Sequence, residues 1–465
     1  MRFGTDGIRG VANAELGAEL VMALGRAAAR ALPNKCFLVG RDTRRSGPLL
    51  QAALSAGMAS EGADVVDLGV LPTPGVAWLS AQRQCPAAVV SASHNLFADN
   101  GIKLFAAGGL KLPDATEAAV EDELDRVLAS AGPVSRPPVG HGVGSLWAEP
   151  DPGQGYVDHL VGVLEGRDLS GMRVVVDCAN GAASVVAPQV LERLGAEVVA
   201  IANAPDGANI NDGCGSTHPE SLAAEVVARG AQLGLALDGD ADRLLAVDHT
   251  GALTTGDELL SLFASDLADR GNLAGNTVVV TVMTNLGFRL AMAERGITVH
   301  ETQVGDRYVL EALDQNGLTL GGEQSGHIVF RQLATTGDGV LTGVLLLDLV
   351  RRSGATLAEL ARRSMQRLPQ VLHNVAAPNP AEAVAVPAVQ AEVTAVEAEL
   401  GERGRVLLRA SGTEPLVRVM VEAEDEAAAQ AAAVRLCAVV ERALLQPAAP
   451  ESAPGGATRG RDVPA

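Results

Sequence analysis

Short apolar runs rich in β-branched residues alternate with Ala- and Leu-rich stretches through most of the chain, and this alternation constrains the fold more than any other feature. Strands without a polar face need helices on both sides, so the pattern predicts α/β layers. A strand-like Lys35 to Val39 follows a helical Ala18 to Leu32, and Arg173 to Val176 precedes a helical Val185 to Leu194. The Pro- and Gly-rich stretch from Ala131 to Asp151 reads as a first linker, with further breaks near Gly251 to Gly256 and Leu368 to Pro380. From about Gln370 the pattern changes to strands at Gly404 to Arg409 and Leu416 to Glu422 and a helix from Glu426 to Leu445, a small α+β domain. Beyond Gln446 the composition falls to Pro, Ala, Gly and Ser, which predicts a disordered tail. The expected segments are therefore 1–150, 151–252, 253–368, 369–446 and the tail 447–465.

With 465 residues, 47% of them apolar, the chain can bury several cores, and its length suggests three or four domains. The formal charge of −20 argues against a general nucleic-acid or anionic-membrane surface, because such partners need a spread of exposed basic residues. Arginines that bind an anion here must act locally. Five widely spaced cysteines without a C-x-x-C pair read as reduced thiols of a cytoplasmic protein. Asp6 and Arg9 stand where an export signal would need an apolar stretch, and apolar stretches such as that around Val344 to Leu349 are too short to span a bilayer. Only Lys35, Lys103 and Lys111 are lysine, and a lysine can lose a proton where an arginine effectively cannot.

Four short segments carry candidate chemistry. In Asp238-Gly239-Asp240-Ala241-Asp242-Arg243 a carboxylate recurs at every second position, so a tight loop can turn three charges onto one centre. Such oxygens suit Mg2+ or a similar hard cation. The start of an EF-hand fits the spacing but puts Arg243 at its sixth position and His249 at its twelfth. An aspartyl-phosphate loop fits the apolar Leu233 to Leu237, although Thr or Val would be expected at Ala241, and a solvated acidic turn is a third reading.

Ser91-Ala92-Ser93-His94-Asn95 follows the apolar Ala87 to Val90, which puts the Ser93 hydroxyl at a strand exit; no Gly-x-Ser-x-Gly elbow is present. A structural serine is the plain alternative. Lys103, a little downstream, suits a general base or a charge partner for phosphate. Arg409 to Pro415 with Arg418 offers hydroxyls, a glycine amide and guanidinium groups at a turn, an anion-binding concavity or an ordinary β-turn. In Gly322 to His327, Glu323 and Ser325 supply an acceptor and a hydroxyl for a polyol, while His327 is either an acid or a core histidine.

Taken together these segments resemble the α-D-phosphohexomutase family, as do Phe3 to Gly10, Gly40-Arg41-Asp42-Thr43-Arg44 and Val304-Gly305-Asp306-Arg307-Tyr308-Val309, all in the family's order over roughly residues 1–446. The resemblance implies four domains around a central cleft, three α/β and a smaller C-terminal α+β. It implies that a phosphorylated Ser93 passes its phosphoryl group to a sugar phosphate, that a 1,6-bisphosphate forms and turns over, and that the other phosphate returns to Ser93. One Mg2+ per site would be held by Ser93, Asp238, Asp240 and Asp242, and a hexosamine 1,6-bisphosphate would serve as primer. Arg9, His94 and Lys103 would surround the phosphoserine, with Lys103 and then His327 as proton-transfer groups and Arg243 near the metal loop. Glu323 and Ser325 would grip sugar hydroxyls, and Arg409, Ser411, Gly412, Thr413 and Arg418 would hold the distal phosphate.

Val304 to Val309 resembles the branch acting on glucosamine 6- and 1-phosphate, which feeds UDP-N-acetylglucosamine synthesis; there Asp306 would attract the 2-ammonium. Branches acting on mannose or glucose phosphate, and a silent sugar-phosphate binder, are the alternatives. Partners are expected to be small sugar phosphates, neither nucleic acid nor membrane, with a homodimer left open. One residue departs from the family: Leu96 stands where proline is usual, which predicts a looser turn around Ser93 by roughly 0.4–1 kcal/mol.

Overall fold

Strands such as Ala87–Val90 and Leu233–Leu237 are buried at every position, which is why their sequences show no alternation. Helix Ala18–Ala31 instead buries Val21, Leu24 and Ala28, the spacing of one helical face, against the layer beneath it. The computed structural model describes residues 3–4, 7–32, 34–129, 137–411 and 415–445. The expected tail falls outside them. The chain divides into two units, Met1–Gln366 and Arg367–Ala465.

The first unit contains three sheets. The first orders its strands Ile8–Val11, Asp99–Ala106, Ala87–Val90, Cys36–Arg41, Asp64–Val70 and Leu146–Ala148, with Leu110–Lys111 paired on Asp99–Ala106. The second runs Leu253–Thr254, Leu244–Asp248, Leu233–Leu237, Arg173–Asp177 and Glu197–Ile201. The third runs Thr298–Thr302, Thr277–Thr281, Leu320–Gly322 and Ile328–Phe330. Parallel pairing at the centre of each sheet and antiparallel strands beside it make all three mixed. One apolar cluster, including Leu38, Tyr156, Leu235 and Val280, runs through all three layers.

The second unit is a three-stranded antiparallel sheet, Gln370–Ala376, Leu416–Glu422 and Arg405–Ala410, with helices Pro387–Leu400 and Glu426–Leu445. It has its own core around Val375, Val417 and Leu436.

Two expected breaks hide strands. Leu146–Ala148, inside the expected linker, pairs in parallel with the strand Asp64–Val70, Val65 opposite Leu146. Leu253–Thr254 completes the second sheet, and the third layer starts only at Thr255, whose hydroxyl and backbone form a capping box with Glu258. Both strands are too short to show a period of two, so pairing alone reveals them. The five cysteines are unbridged. Among the described residues no helix is long and apolar enough to cross a membrane.

Candidate functional site

The buried strand Ala87–Val90 delivers the chain to Ser91, and Ser93 follows with φ 53°, a left-handed conformation rare for a residue with a Cβ. The neighbouring strand pairs Val89 with Lys103, and on its other side Arg9 with Gly101. Because residues two apart on a strand share a face, this register puts Lys103 and Arg9 on the same side of the sheet. In the second layer the buried Leu233–Leu237 delivers the chain to Asp238, and a turn with Ala241 at φ 58° brings Asp240 and Asp242 back beside it.

The two loops meet through Ser93, whose Oγ donates to Asp238 Oδ2 at 2.6 Å and lies 3.2 Å from His94 Nδ1. Glycine is required at 239 for this approach, since a Cβ there would stand 2.6 Å from the Ser93 carbonyl oxygen. Lys103 Nζ donates to Asp240 Oδ2 at 2.9 Å and Asp242 Oδ2 at 3.2 Å. One oxygen from each of the three aspartates falls within 4.8 Å of the others. Asp240 Oδ1 and Asp242 Oδ1 are buried and make no hydrogen bond among the described residues. Carboxylate oxygens buried without donors are costly unless a cation takes them, and an all-oxygen set of this size fits a hard divalent ion such as Mg2+.

Burial and the charges of Asp242 and Asp240 raise Asp238 well above the usual carboxylate range. Burial would raise Asp242 too, but Lys103, His327 and Arg243 outweigh it and hold that carboxyl well below the usual range. Desolvation, helped by the Arg243 and Arg9 charges, lowers His94 to about 4, so His94 is neutral near pH 7. His327 is raised, its burial opposed by the nearby Asp242 carboxylate and by the charges of Asp306 and Glu323.

The third layer contributes the hairpin between Leu320–Gly322 and Ile328–Phe330. At its tip Glu323 accepts from the Gly305 N–H at 3.1 Å through Oε1 and from Ser325 Oγ at 3.2 Å through Oε2. His327 lies 3.7 Å from Asp242 Oδ1 through Nδ1 and 3.8 Å from Asp306 Oδ2 through Nε2, the nitrogen that accepts from the Gly337 N–H at 3.1 Å. Glycine is needed at 337, where a Cβ would meet the imidazole at 2.5 Å. His327 thus packs against the carboxylate loop.

Asp306, only 9% exposed, forms an ion pair with Lys111.

In the second unit Arg409 and Arg418 stand directly opposite each other across paired strands. Burial and the facing Arg418 charge lower the Arg409 guanidinium below its usual value. Like charges in register are unfavourable unless an anion bridges them, which suits a phosphate. Ser411 donates its N–H to the Leu416 carbonyl at 2.9 Å. Gly412 and Thr413 lie outside the described residues.

Thr73 carries no role in the sequence reading, yet its Oγ1 donates to Asp240 Oδ2 at 2.7 Å and its N–H to the Asp240 carbonyl at 3.0 Å. Thr-Pro at 73–74 signals only a helix start; its partner lies 167 residues away. Asp42 is a second such residue, accepting from Ser91 Oγ at 2.7 Å, while that same Oγ accepts from the Ser93 N–H at 2.9 Å.

Four family models for phosphoglucomutase/phosphomannomutase match the chain: domain I over residues 1–130, domain II over 154–251, domain III over 255–368 and the C-terminal domain over 372–439. Phosphoglucosamine mutase of Frankia alni is 54% identical over 96% of this chain and 99% of its own. Its namesake from Saccharopolyspora erythraea is 53% identical over 94% of this chain and 98% of its own. A phosphoglucomutase/phosphomannomutase family structure from Burkholderia thailandensis matches with TM-score 0.77 at 27% identity, over 95% of this chain and 96% of that one. Aspergillus fumigatus N-acetylphosphoglucosamine mutase, solved with GlcNAc-6P and magnesium, shares the fold with TM-score 0.68 at 20% identity, over 96% of both chains.

Proposed function

The chain belongs to the phosphoglucomutase/phosphomannomutase family and is an isomerase of sugar phosphates, and from that premise we propose that it interconverts glucosamine 6-phosphate and glucosamine 1-phosphate through Ser93. The relatives at 53–54% identity carry the name of that activity. The observation that carries the residue assignment is the Ser93 hydroxyl 2.6 Å from Asp238, in a buried carboxylate cluster with two oxygens lacking donors.

In the first half-reaction a sugar hydroxyl oxygen bonds to the phosphorus carried on Ser93, the bond from phosphorus to Ser93 Oγ breaks, and the hydroxyl proton ends on Oγ. The product is glucosamine 1,6-bisphosphate. In the second half-reaction Ser93 Oγ bonds to the other phosphorus, the sugar oxygen departs, and the proton returns to it. Phosphorylated Ser93, Asp238, Asp240 and Asp242 would hold a magnesium ion, which would supply positive charge against the negative charge on the group in transit. Lys103 and His327, both tied to that carboxylate loop, are the proposed proton carriers. Arg9 and Arg243 add positive charge around the Ser93 loop, and neutral His94 beside Oγ donates or accepts a hydrogen bond according to its tautomer.

Glu323 and Ser325 exchange hydrogen bonds with sugar hydroxyls. Arg409, Arg418 and Ser411, with Gly412 and Thr413, hold whichever phosphate is not in transit. One anion site able to accept either phosphate is what a reaction requiring two substrate orientations demands. Asp306 takes part as one half of a neutral pair with Lys111.

The test is 31P NMR of glucosamine, glucose and mannose phosphates with wild type and Ser93→Ala, each primed with hexose 1,6-bisphosphate. Wild type should convert glucosamine phosphate fastest and Ser93→Ala should convert none. Wild-type turnover in Ser93→Ala would overturn the assignment.

A further inference from the structure

We propose that Arg44 and Asn211, from two different α/β layers, clamp the Ser93 loop from behind and thereby position the nucleophile, an inference that rests on the function proposed above. A left-handed residue with a Cβ is strained and persists only where its surroundings over-determine it. Ser93 is such a residue, at φ 53°.

The surroundings do over-determine it. Arg44 Nη2 donates to the Ser93 carbonyl at 2.9 Å and to the Asn95 carbonyl at 2.7 Å. Asn211 Nδ2 donates to the same two carbonyls, at 2.9 Å each. Arg44 Nη1 reaches the carbonyls of Leu96 and, at 3.1 Å, Asp99. Arg44 Nε donates to Asp42 Oδ2 at 2.8 Å, which neutralises a guanidinium only 1% exposed. Asp42 in turn accepts from Ser91 Oγ, the atom that holds the Ser93 N–H.

Four carbonyls within seven residues are therefore drawn to one cation. Only a planar fork with five N–H donors can do this, because a lysine presents its three donors from a single nitrogen. Pulling these carbonyls backwards leaves the Ser93 hydroxyl directed at Asp238. The clamp also accounts for a loop ordered without the family's proline, since Arg44 binds the Leu96 carbonyl itself.

Both side chains are buried and spend their donors on backbone carbonyls, so the clamp acts on turnover rather than binding. Arg44→Lys keeps the charge beside Asp42 but loses the fork, and Asn211→Gly keeps the left-handed backbone at that position (φ 57°) while deleting both donors. Arg44→Met additionally leaves Asp42 buried without its cation. Steady-state kinetics should show kcat reduced about 10- to 100-fold in Arg44→Lys and Asn211→Gly, with KM within about twofold, as misplacement of a reacting group by about 1 Å would give. The rate at which hexose 1,6-bisphosphate phosphorylates the dephosphorylated enzyme, followed by intact mass, should fall in parallel, and Arg44→Lys should retain more of it than Arg44→Met. If Arg44→Met does not fold, Asn211→Gly and Arg44→Lys decide. Folded forms of these two with wild-type kcat, or with KM alone raised, overturn the clamp. Ser93→Ala separates the two ideas: inactive Ser93→Ala beside fully active Asn211→Gly and Arg44→Lys removes the clamp alone, whereas active Ser93→Ala removes the reading beneath it.

Discussion

Replacing Lys103 with Met removes an ammonium 2.9 Å from Asp240 Oδ2 and 3.2 Å from Asp242 Oδ2 while keeping a chain of similar length. Lys103 is 4% exposed and both carboxylates are buried, so water does not replace the lost cation. Removing one partner of a buried ion pair costs about 3–5 kcal/mol. A divalent ion in the same carboxylate cluster would neutralise the same charges, and a ligand at one hundred times its Kd contributes about 2.7 kcal/mol by mass action. The two magnitudes are comparable, so the defect should depend on the metal. Urea unfolding of wild type and Lys103→Met, each in EDTA and in excess Mg2+, should show a gap of about 3 kcal/mol or more in EDTA that closes by at least half with Mg2+. Turnover should fall by about 100-fold or more if Lys103 also carries protons. Equal gaps in EDTA and Mg2+ would refute the claim that lysine and metal neutralise one shared set of oxygens.

Asp338 gives a pH signature: burial, against donors from the Leu341 N–H and Tyr156 OH, raises it to about 6. The folded state then holds a proton that the unfolded state, with an ordinary value of about 3.9, releases first, so stability falls as pH rises from about 4 to 6 and is level above. Asp338→Asn should remove that slope and be no less stable at pH 7.5 in urea melts; an unchanged slope would assign it to another group. Leu96→Pro should leave kcat within about twofold and add at most about 1 kcal/mol, because Arg44 already orders a residue whose side chain is 54% exposed; a tenfold gain in rate would show the loop was underordered. Lys111→Met frees the Asp306 carboxylate and should shift preference towards glucosamine over glucose phosphate by about three- to tenfold, the worth of a partly screened charge of roughly 1 kcal/mol. An unchanged ratio of kcat/KM would remove Asp306 from substrate selection.

Much of the site was legible because its chemistry sits in contiguous segments. Asp238, Asp240 and Asp242 converge because a turn of five residues can only bring alternate carboxylates together, and Ser93 is delivered by a strand whose apolar run names its end. Strand and helix ends agreed with the periodicity to within a residue or two, as at Leu233–Leu237 and Glu426–Leu445. Leu146–Ala148 escaped because three residues cannot display a period and its pairing is supplied by Val65 to Asp67. The ion pair of Asp306 with Lys111 escaped because the two stand 195 positions apart in the chain, and no local pattern announces a pair of that span.

The amino-acid sequence alone determined the layered α/β class, the positions of Ser93 and of the clustered carboxylates, and the family, since each depends on residue type and near-neighbour spacing. Tertiary structure decided which charges are spent on one another. Asp306 is neutralised by Lys111, Asp242 is held ionised by Lys103 and His327, and the Ser93 carbonyl is shared by Arg44 and Asn211. Apart from the Arg44 bond, which lies within the first layer, these are contacts between different layers, and whether a buried charge is reactive or satisfied depends on distances of a few ångströms that only packing sets.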